Sequence, residues 1–146
     1  MHTLDALLSS LRAAGEHTRL RILALCARGE LSVTELTHIL GQSQPRVSRH
    51  LKLMVEAGLL ERLPEGVQVY FRVPDRDDAS KIAHALVALL PESDAGLNRD
   101  FSRLQQVRDI RTQRAQKYFQ QVAKNWDQIR AMHVPQQQLE DTLLEV

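Results

Sequence analysis

The chain contains 146 residues, of which 43% are hydrophobic and 25% are charged, and its formal net charge is only +1. This composition is sufficient for one packed domain with an appendage. A single cysteine excludes an intrachain disulfide framework, and the lack of a signal peptide or of an apolar run of membrane-spanning length predicts a cytoplasmic protein.

Two helices are predicted at the start of the chain. The leucines of the first recur at helical spacing and form an apolar stripe, at Leu4, Leu7, Leu8 and Leu11. The second, from Glu16 to Arg28, is apolar on more than one side and is therefore predicted to belong to the core. Its Cys26 is interpreted as a small buried hydrophobe.

A capping box marks the start of a short third helix. In the segment Ser32–Glu35, the serine hydroxyl and the glutamate carboxylate can each accept a hydrogen bond from a free backbone N–H of the other residue. The helix is predicted to begin near Val33. Gly41 is predicted to end it, because glycine tolerates a positive φ.

A fourth helix is predicted over residues 43–57. It begins at Ser43, with Pro45 in the first turn, where a missing N–H costs nothing, and Gly58 closes it. Between Leu36 and Val55 the charged residues are all positive, namely Arg46, Arg49 and Lys52.

This arrangement predicts a helix-turn-helix that binds DNA. Cations supply affinity by neutralising phosphates, and arginine or glutamine side chains read base edges in the major groove. The N-terminal part of the second helix enters the groove, which places Gln44, Arg46, Ser48 and Arg49 nearest the bases. The alternative, a solvated basic face, is less consistent with so complete a flanking motif.

A hairpin is predicted over residues 59–73, with a turn at Pro64-Glu65-Gly66 between two β-rich segments. Alternation predicts an apolar face formed by Val67, Val69, Phe71 and Val73. Arg62, Gln68 and Arg72 are expected to lie along the DNA backbone, and a structural cap on the core is the alternative for any single residue. The full set of predicted DNA contacts is Ser43, Gln44, Arg46, Ser48, Arg49, His50, Lys52, Arg62, Gln68 and Arg72.

These segments resemble the ArsR/SmtB family of winged-helix repressors. The resemblance is carried by ELSVTEL, SQPRVSRHLKLMVEAGLL and GVQVYFRV, and it covers roughly Leu4 to Leu90. It implies a mainly α fold with a small β-hairpin, a winged helix-turn-helix followed by a long C-terminal helical extension. It also implies a cytoplasmic homodimer that binds a palindromic operator in double-stranded DNA and is released by an inducer.

The family pattern implies that the first and fifth helices form the dimer interface. The residues expected there are Leu4, Leu7, Leu8, Leu11, Ile82, Leu86 and Leu89. Packing of these two stripes within one subunit is an equally consistent interpretation.

Metal-sensing members of the family carry ligands that this sequence lacks. Their thiolate pair lies in an E-L-C-V-C-D-L stretch, where this chain has Ser32 and Thr34, and hydroxyls are poor ligands for soft ions. Of the fifth-helix ligands of the zinc, cobalt and nickel sensors, only His84 is present. A set that could meet across a dimer is His2, Asp5, His84 and Glu92, but a lone helical histidine is usually a surface or core residue, and no metal site is predicted.

Residues 1–92 are expected to form the winged-helix domain, and residues 93–146 a helical connector. The segment from Asp94 to Met132 keeps helical spacing without glycine or proline after Gly96, which predicts one long helix or two nearly continuous ones. Six basic and two acidic residues between Arg99 and Lys117 give a net charge of +4. A solvated face explains this charge better than a second DNA contact.

The tail resembles the junction of longer ArsR proteins that are fused to a methyltransferase-like domain dependent on S-adenosylmethionine. The matching residues are Tyr118, Phe119, Trp126, Ile129, Arg130, His133, Val134 and Pro135. An alternative hypothesis is therefore a regulatory N-terminal portion of such a fusion, whose inducer, a metabolite related to S-adenosylmethionine, binds the missing C-terminal domain. No strand followed by G-x-G-x-x-G occurs, and no nucleophile adjoins a base, so neither a cofactor nor an enzyme is predicted.

Overall fold

The structure, a computed structural model, describes residues 3–75 and 78–132, without the side chains of residues 78, 79, 131 and 132. In chain order its elements are α1 (Leu4–Ala14), α2 (His17–Cys26), β1 (Leu31–Ser32), α3 (Val33–Leu40), α4 (Gln44–Glu56), β2 (Glu61–Glu65), β3 (Gln68–Arg72), α5 (Asp78–Leu89) and α6 (Ala95–Met132). The predicted fold, mainly α with a small hairpin and a long C-terminal helix, is confirmed. None of the described helices combines the length and the apolar character needed to cross a membrane.

The capping box at the start of α3 is confirmed. Ser32 Oγ accepts a hydrogen bond from Glu35 N at 3.2 Å, and Glu35 Oε1 accepts one from Ser32 N at 3.0 Å. At the other end, Gly41 adopts a left-handed conformation with φ 65°. Both ends of the helix therefore follow from local residue chemistry.

The bounds of α4 also agree with the prediction. Ser43 is the N-cap in extended conformation, and Pro45 occupies the first turn. At the C-terminus, Leu59 N donates to Met54 O at 2.9 Å and Gly58 N donates to Val55 O at 3.1 Å. This pair of bonds, with Gly58 at φ 80°, is a Schellman motif, which ends the helix and turns the chain towards β2.

The sheet has three strands, in the order β1-β3-β2, where the sequence predicted a two-stranded hairpin. The additional strand, β1, pairs antiparallel with β3 through Leu31 opposite Phe71 and Ser32 opposite Tyr70. Two residues are too short for an alternation pattern, which explains why β1 was not predicted.

The hairpin turn lies closer to the C-terminus than the predicted turn at Pro64-Glu65-Gly66. Pro64 belongs to β2 and pairs with Val69, and the loop between Glu65 and Gln68 consists of Gly66 and Val67. Gly66 has φ 62°, as a two-residue hairpin loop with glycine at its first position requires. Pro64 is tolerated because β2 is an edge strand. Val67 is 99% exposed, so its prediction as part of the apolar face was wrong.

The core of the helix-turn-helix is formed by α2, α3 and α4. Its fully buried side chains, each no more than 1% exposed, are Ile22, Leu23, Leu25, Leu36, Ile39, Val47, Leu51 and Met54. Cys26 is also buried, and burial raises the pKa of its thiol to about 12, which confirms its interpretation as a hydrophobe.

Helix α6 is one continuous helix of 38 residues, but the chain divides into two compact units at Gln105. The first turns of α6 therefore belong to the winged-helix unit, beyond the boundary at residue 92 that the sequence suggested. Asp100, only 1% exposed, accepts hydrogen bonds from Arg21 Nε at 2.8 Å and Nη2 at 2.9 Å. Arg103 Nη1 donates a hydrogen bond to Ile39 O at 2.9 Å. The first turns of α6 are therefore hydrogen-bonded to both α2 and α3.

The second unit, from Gln106 onwards, is described as the remainder of α6. Its large apolar side chains are substantially exposed, among them Tyr118, Phe119, Trp126 and Ile129. The rings of Tyr118 and Phe119 pack edge to face with centroids 5.8 Å apart. Three residues of the predicted tail motif, His133, Val134 and Pro135, lie outside the described residues.

The Arg21–Asp100 pair provides a test of this packing. Arg21→Met leaves the Asp100 carboxylate buried without its partner, so the free energy of unfolding should fall by about 3 kcal/mol, near the lower end for buried pairs because Arg21 keeps 20% of its side chain exposed. Urea denaturation followed by circular dichroism measures this change.

The double variant Arg21→Met/Asp100→Leu should lose much less stability than Arg21→Met, because it leaves no unpaired charge. Arg72→Met, which removes a more exposed ion pair, is the control and should cause a small loss. Equal losses in the three variants would contradict the role given to the buried carboxylate.

Candidate nucleic-acid interface

The exposed face of α4 is determined by the face that it buries. Val47, Leu51 and Met54 recur at spacings of three and four residues and are 0 to 1% exposed, so this side of the helix is covered by the core. The opposite side is exposed and mostly polar, with Leu53 42% exposed on it. The predicted contacts on this side are Ser43, Gln44, Arg46, Ser48, Arg49 and Lys52. The structure thus brings these six predicted residues onto one surface.

The cations of this surface are available to a ligand. Within residues 3–75 and 78–132, Arg46, Arg49 and Lys52 form no ion pair. The nearest acidic residue along the helix is Glu56, at its C-terminal end. The exposed face of α4 therefore carries uncompensated positive charge, as a phosphate-binding surface requires.

The turn before α4 is held by a polar contact with α2. Gln42 Nε2 donates to Thr18 Oγ1 at 3.1 Å, and Thr18 is buried. Since Gln42 lies between the two helices of the motif, this bond fixes where α4 begins relative to α2. This bond was not predictable from the sequence, because a glutamine in a turn has no specific pattern of partners.

His50 differs from the other predicted contacts on α4, because its side chain lies half-buried against α2. Arg19 Nη1 lies 3.2 Å from His50 Nδ1, and Glu16 Oε2 lies 3.9 Å from the same nitrogen. An arginine can only donate, so Nδ1 accepts and the proton resides on Nε2. Desolvation lowers the pKa of His50, and Glu16 opposes this shift. His50 therefore positions α4 on α2.

The strand register separates the three predicted wing contacts. Arg62 is opposite Phe71, so its side chain shares the face of Phe71 and Val69, which lies towards α4. Gln68 and Arg72 belong to the other face of β3. The three residues predicted to lie along the DNA backbone are thus divided between two faces of the hairpin, because the hairpin loop sets which residues oppose each other.

Arg72 is also compensated by acidic side chains. It forms an ion pair with Glu61, the residue opposite it on β2, and its Nη1 lies 3.2 Å from Glu30 Oε1. The hydrogen bond to Glu61 raises the pKa of Arg72. Because Glu30 precedes β1, this pairing joins all three strands. Arg62 and Gln68 are exposed, whereas Arg72 is partly buried by its partners.

The predicted dimer residues form an apolar face on α1 and α5, which contact each other. Leu4, Leu8, Leu11 and Leu89 are 80%, 42%, 44% and 78% exposed. Leu7, Ile82 and Leu86 are half-buried. Packing within one subunit therefore buries the three half-buried residues only in part. It leaves the four exposed leucines in contact with solvent.

Two of the positions considered for metal binding, Ser32 and His84, have other partners. The hydroxyl of Ser32 serves the capping box, and His84 Nε2 lies 3.7 Å from Asp75 Oδ1. Among the described residues, no three histidine, cysteine or acidic side chains are grouped to hold an ion. His2, a member of the set considered across a dimer, lies outside them.

A comparison with known families matches residues 16–62 to the family described as "Bacterial regulatory protein, arsR family". The arsenic resistance transcriptional regulator ArsR1 of Pseudomonas putida is 48% identical over 63 residues, which cover 42% of this chain and 49% of that protein. The chain thus spans about half of that relative's length. The biofilm growth-associated repressor of Agrobacterium fabrum is 33% identical over 79 residues, covering 54% of this chain and 67% of that protein.

Among solved structures, a similar fold is found in a homodimeric winged helix-turn-helix DNA-binding domain from Mycobacterium bovis. The sequence identity is 30%, and the match covers 59% of this chain and 75% of that one with a TM-score of 0.52. The match supports the winged-helix interpretation of α3, α4 and the hairpin.

The environment of His50 predicts a dependence of stability on pH. The pKa of His50 is lowered in the folded state, so the unfolded chain binds a proton at a higher pH than the folded protein does. The free energy of unfolding therefore decreases as the pH falls below the ordinary histidine pKa. Between about pH 7 and pH 5, the free energy of unfolding of His50→Gln should therefore fall less steeply than that of the wild type. Thermal or urea unfolding across this range measures the difference.

The matched control is His38→Gln, because His38 is exposed on α3. This variant should retain the slope of the wild type. An equal slope in the wild type and His50→Gln would show that burial of His50 does not oppose its protonation.

Proposed function

Because the chain belongs to the arsR family of bacterial regulatory proteins, we propose that it is a transcriptional repressor that binds a DNA operator as a homodimer. In this proposal α4 is the recognition helix and the β2–β3 hairpin is the wing. The observation that carries it is the exposed basic face of α4, which lies opposite a completely buried apolar face.

The residues of the interface divide into two kinds. Gln44, Arg46, Ser48 and Arg49 lie in the first half of α4, which enters the major groove in helix-turn-helix proteins, so we assign them to base edges. Ser43, Lys52, Arg62 and Gln68 are assigned to the phosphate backbone. His50 and Arg72 are assigned positioning roles, since each is already engaged with side chains of its own chain.

The homodimer is supported by the exposed apolar face of α1 and α5. A single recognition helix contacts few base pairs, whereas two helices related by a two-fold axis read two half-sites about one helical turn apart. Burying Leu4, Leu8, Leu11 and Leu89 against their symmetry mates would remove exposed apolar surface from water. The related Mycobacterium bovis domain is itself homodimeric.

We further propose that this repressor does not respond to soft metal ions through the position used by thiolate sensors. Ser32 and Thr34 provide hydroxyls there, and the Ser32 hydroxyl caps α3. Cys26 is buried with a raised pKa, so it is a poor source of thiolate.

The DNA-binding proposal is tested by Arg46→Ala/Arg49→Ala. Each base contact is worth about 1 kcal/mol or more, so the pair should weaken operator binding by at least about thirtyfold. Fluorescence anisotropy with an operator selected from random DNA by the wild-type protein measures the affinity, and size-exclusion chromatography confirms that the variant keeps its oligomeric state.

The matched control is Arg114→Ala/Lys117→Ala, which removes the same charge from exposed positions of α6. It should change the affinity less than about twofold if the basic surface of α6 is solvated. Unchanged binding by the α4 variant would refute the assignment of the recognition helix. A comparable loss in the control would instead reveal a second DNA contact.

The dimer proposal is tested by Leu4→Glu/Leu89→Glu. Opposed carboxylates in an apolar interface are strongly unfavourable, so the variant should be monomeric by light scattering and should lose most of its operator affinity. Val67→Glu is the control, because Val67 is 99% exposed at the tip of the wing, and it should keep the mass of the wild type. A double variant that keeps the wild-type mass would exclude this interface.

A further inference from the structure

A cleft of about 470 Å³ lies between α4 and the wing, within the range of small-molecule sites. We propose that it binds a small amphipathic organic anion, such as an aromatic carboxylate, and that the bound anion excludes DNA. The competition with DNA rests on the proposed function, whereas binding of the anion does not.

The interior of the cleft is apolar and comes from three elements. Leu51 of α4 and Phe71 of β3 are 1% and 6% exposed, and both border the cleft from the core. The half-buried side chains of Val33, Val55 and Val69 complete its apolar lining. An aromatic ring that enters the cleft would remove apolar surface of both partners from water.

The rim of the cleft favours a single negative charge. Lys52 and Arg62 reach it from α4 and β2, Ser48 adds a hydroxyl, and Glu56 is its acidic residue. Two cations and one anion leave a net charge of +1. Neither Lys52 nor Arg62 forms an ion pair within residues 3–75 and 78–132. A guanidinium presents paired N–H donors that match a carboxylate.

The combination of apolar and cationic groups in the cleft results from the strand register. Arg62 is opposite Phe71 in the hairpin, so the cation and the ring belong to the same face of the sheet. The second wing arginine, Arg72, lies on the other face and is paired with Glu61. The cleft therefore combines an apolar interior with a cation, Arg62, that forms no ion pair with any of the residues that the structure describes.

Occupation of the cleft is expected to exclude DNA because the two ligands use the same side chains. Ser48, Lys52 and Arg62 border the cleft and also belong to the proposed DNA surface. An anion bound to these cations would occupy the groups that meet phosphate. No conformational change is needed for this competition.

The site is tested first without DNA, by isothermal titration calorimetry of the full chain with 2-naphthoate and with its neutral analogue 2-naphthamide. We expect saturable binding of one naphthoate per chain. The amide should bind about tenfold more weakly, because it cannot form charge-assisted hydrogen bonds with the rim. Arg62→Gln should reduce this preference to about threefold or less, since it removes one of the two cations.

A cavity-filling variant locates the binding site. Val55→Trp should reduce naphthoate affinity at least about tenfold, because the indole occupies the space of the ligand. Val122→Trp, at a half-buried valine of α6, is the control and should bind like the wild type. Circular dichroism verifies that both variants are folded. The absence of saturable binding, equal binding of the amide, or full binding by Val55→Trp would each overturn the proposed site.

Competition is then measured with operator DNA. Naphthoate should raise the apparent Kd of the wild type for DNA in proportion to its concentration, and it should have little effect on Val55→Trp. Binding of naphthoate without displacement of DNA would overturn the competitive mechanism. If the wild type binds no DNA, the proposed function fails, and calorimetry still decides whether the cleft is a ligand site.

Discussion

The structure depends most on the complete burial of one side of α4. Val47, Leu51 and Met54 are excluded from water by α2 and α3, and this burial fixes the rotation of the helix about its axis. Because the apolar side cannot turn outwards without exposing three large side chains, the polar side must face solvent. The direction in which α4 presents its cations is therefore a consequence of core packing, so the helix backbone that carries them is already ordered before it binds.

In the wing, the strand register determines whether an arginine side chain pairs with acidic residues or faces α4. Arg62 and Arg72 belong to paired strands and have the same side chain, yet they have opposite surroundings. Arg72 is compensated by Glu61 and Glu30, so it stabilises the three-stranded sheet, while Arg62 faces α4 beside Phe71. A loop longer by one residue would exchange the two faces, because side chains alternate along a strand. Gly66 allows the tight loop and thereby sets this choice.

The features predicted correctly from the sequence are those encoded by neighbouring residues. The caps of α3, the first turn of α4 and the glycines that end both helices involve residues no more than a few positions apart. The features that were missed join distant parts of the chain, such as Arg19 with His50, Arg72 with Glu30, and Arg21 with Asp100. No local pattern specifies such partners. The exposed face of α4 was predictable from periodicity, but the engagement of His50 and Arg72 by other side chains was not.

The contacts of Ser32 and the cleft beside it bear on how the protein responds to a signal. At Ser32 the hydroxyl caps α3, and the backbone of this residue pairs with Tyr70 of β3, so the position where thiolate sensors bind metal here connects the recognition motif to the wing. Val33, the next residue, borders the cleft beneath the wing. A ligand in that cleft would contact α4, the wing and the start of α3 together. Coupling between ligand and DNA then requires only that both compete for Lys52 and Arg62, as proposed above, since two ligands that need the same side chains exclude each other.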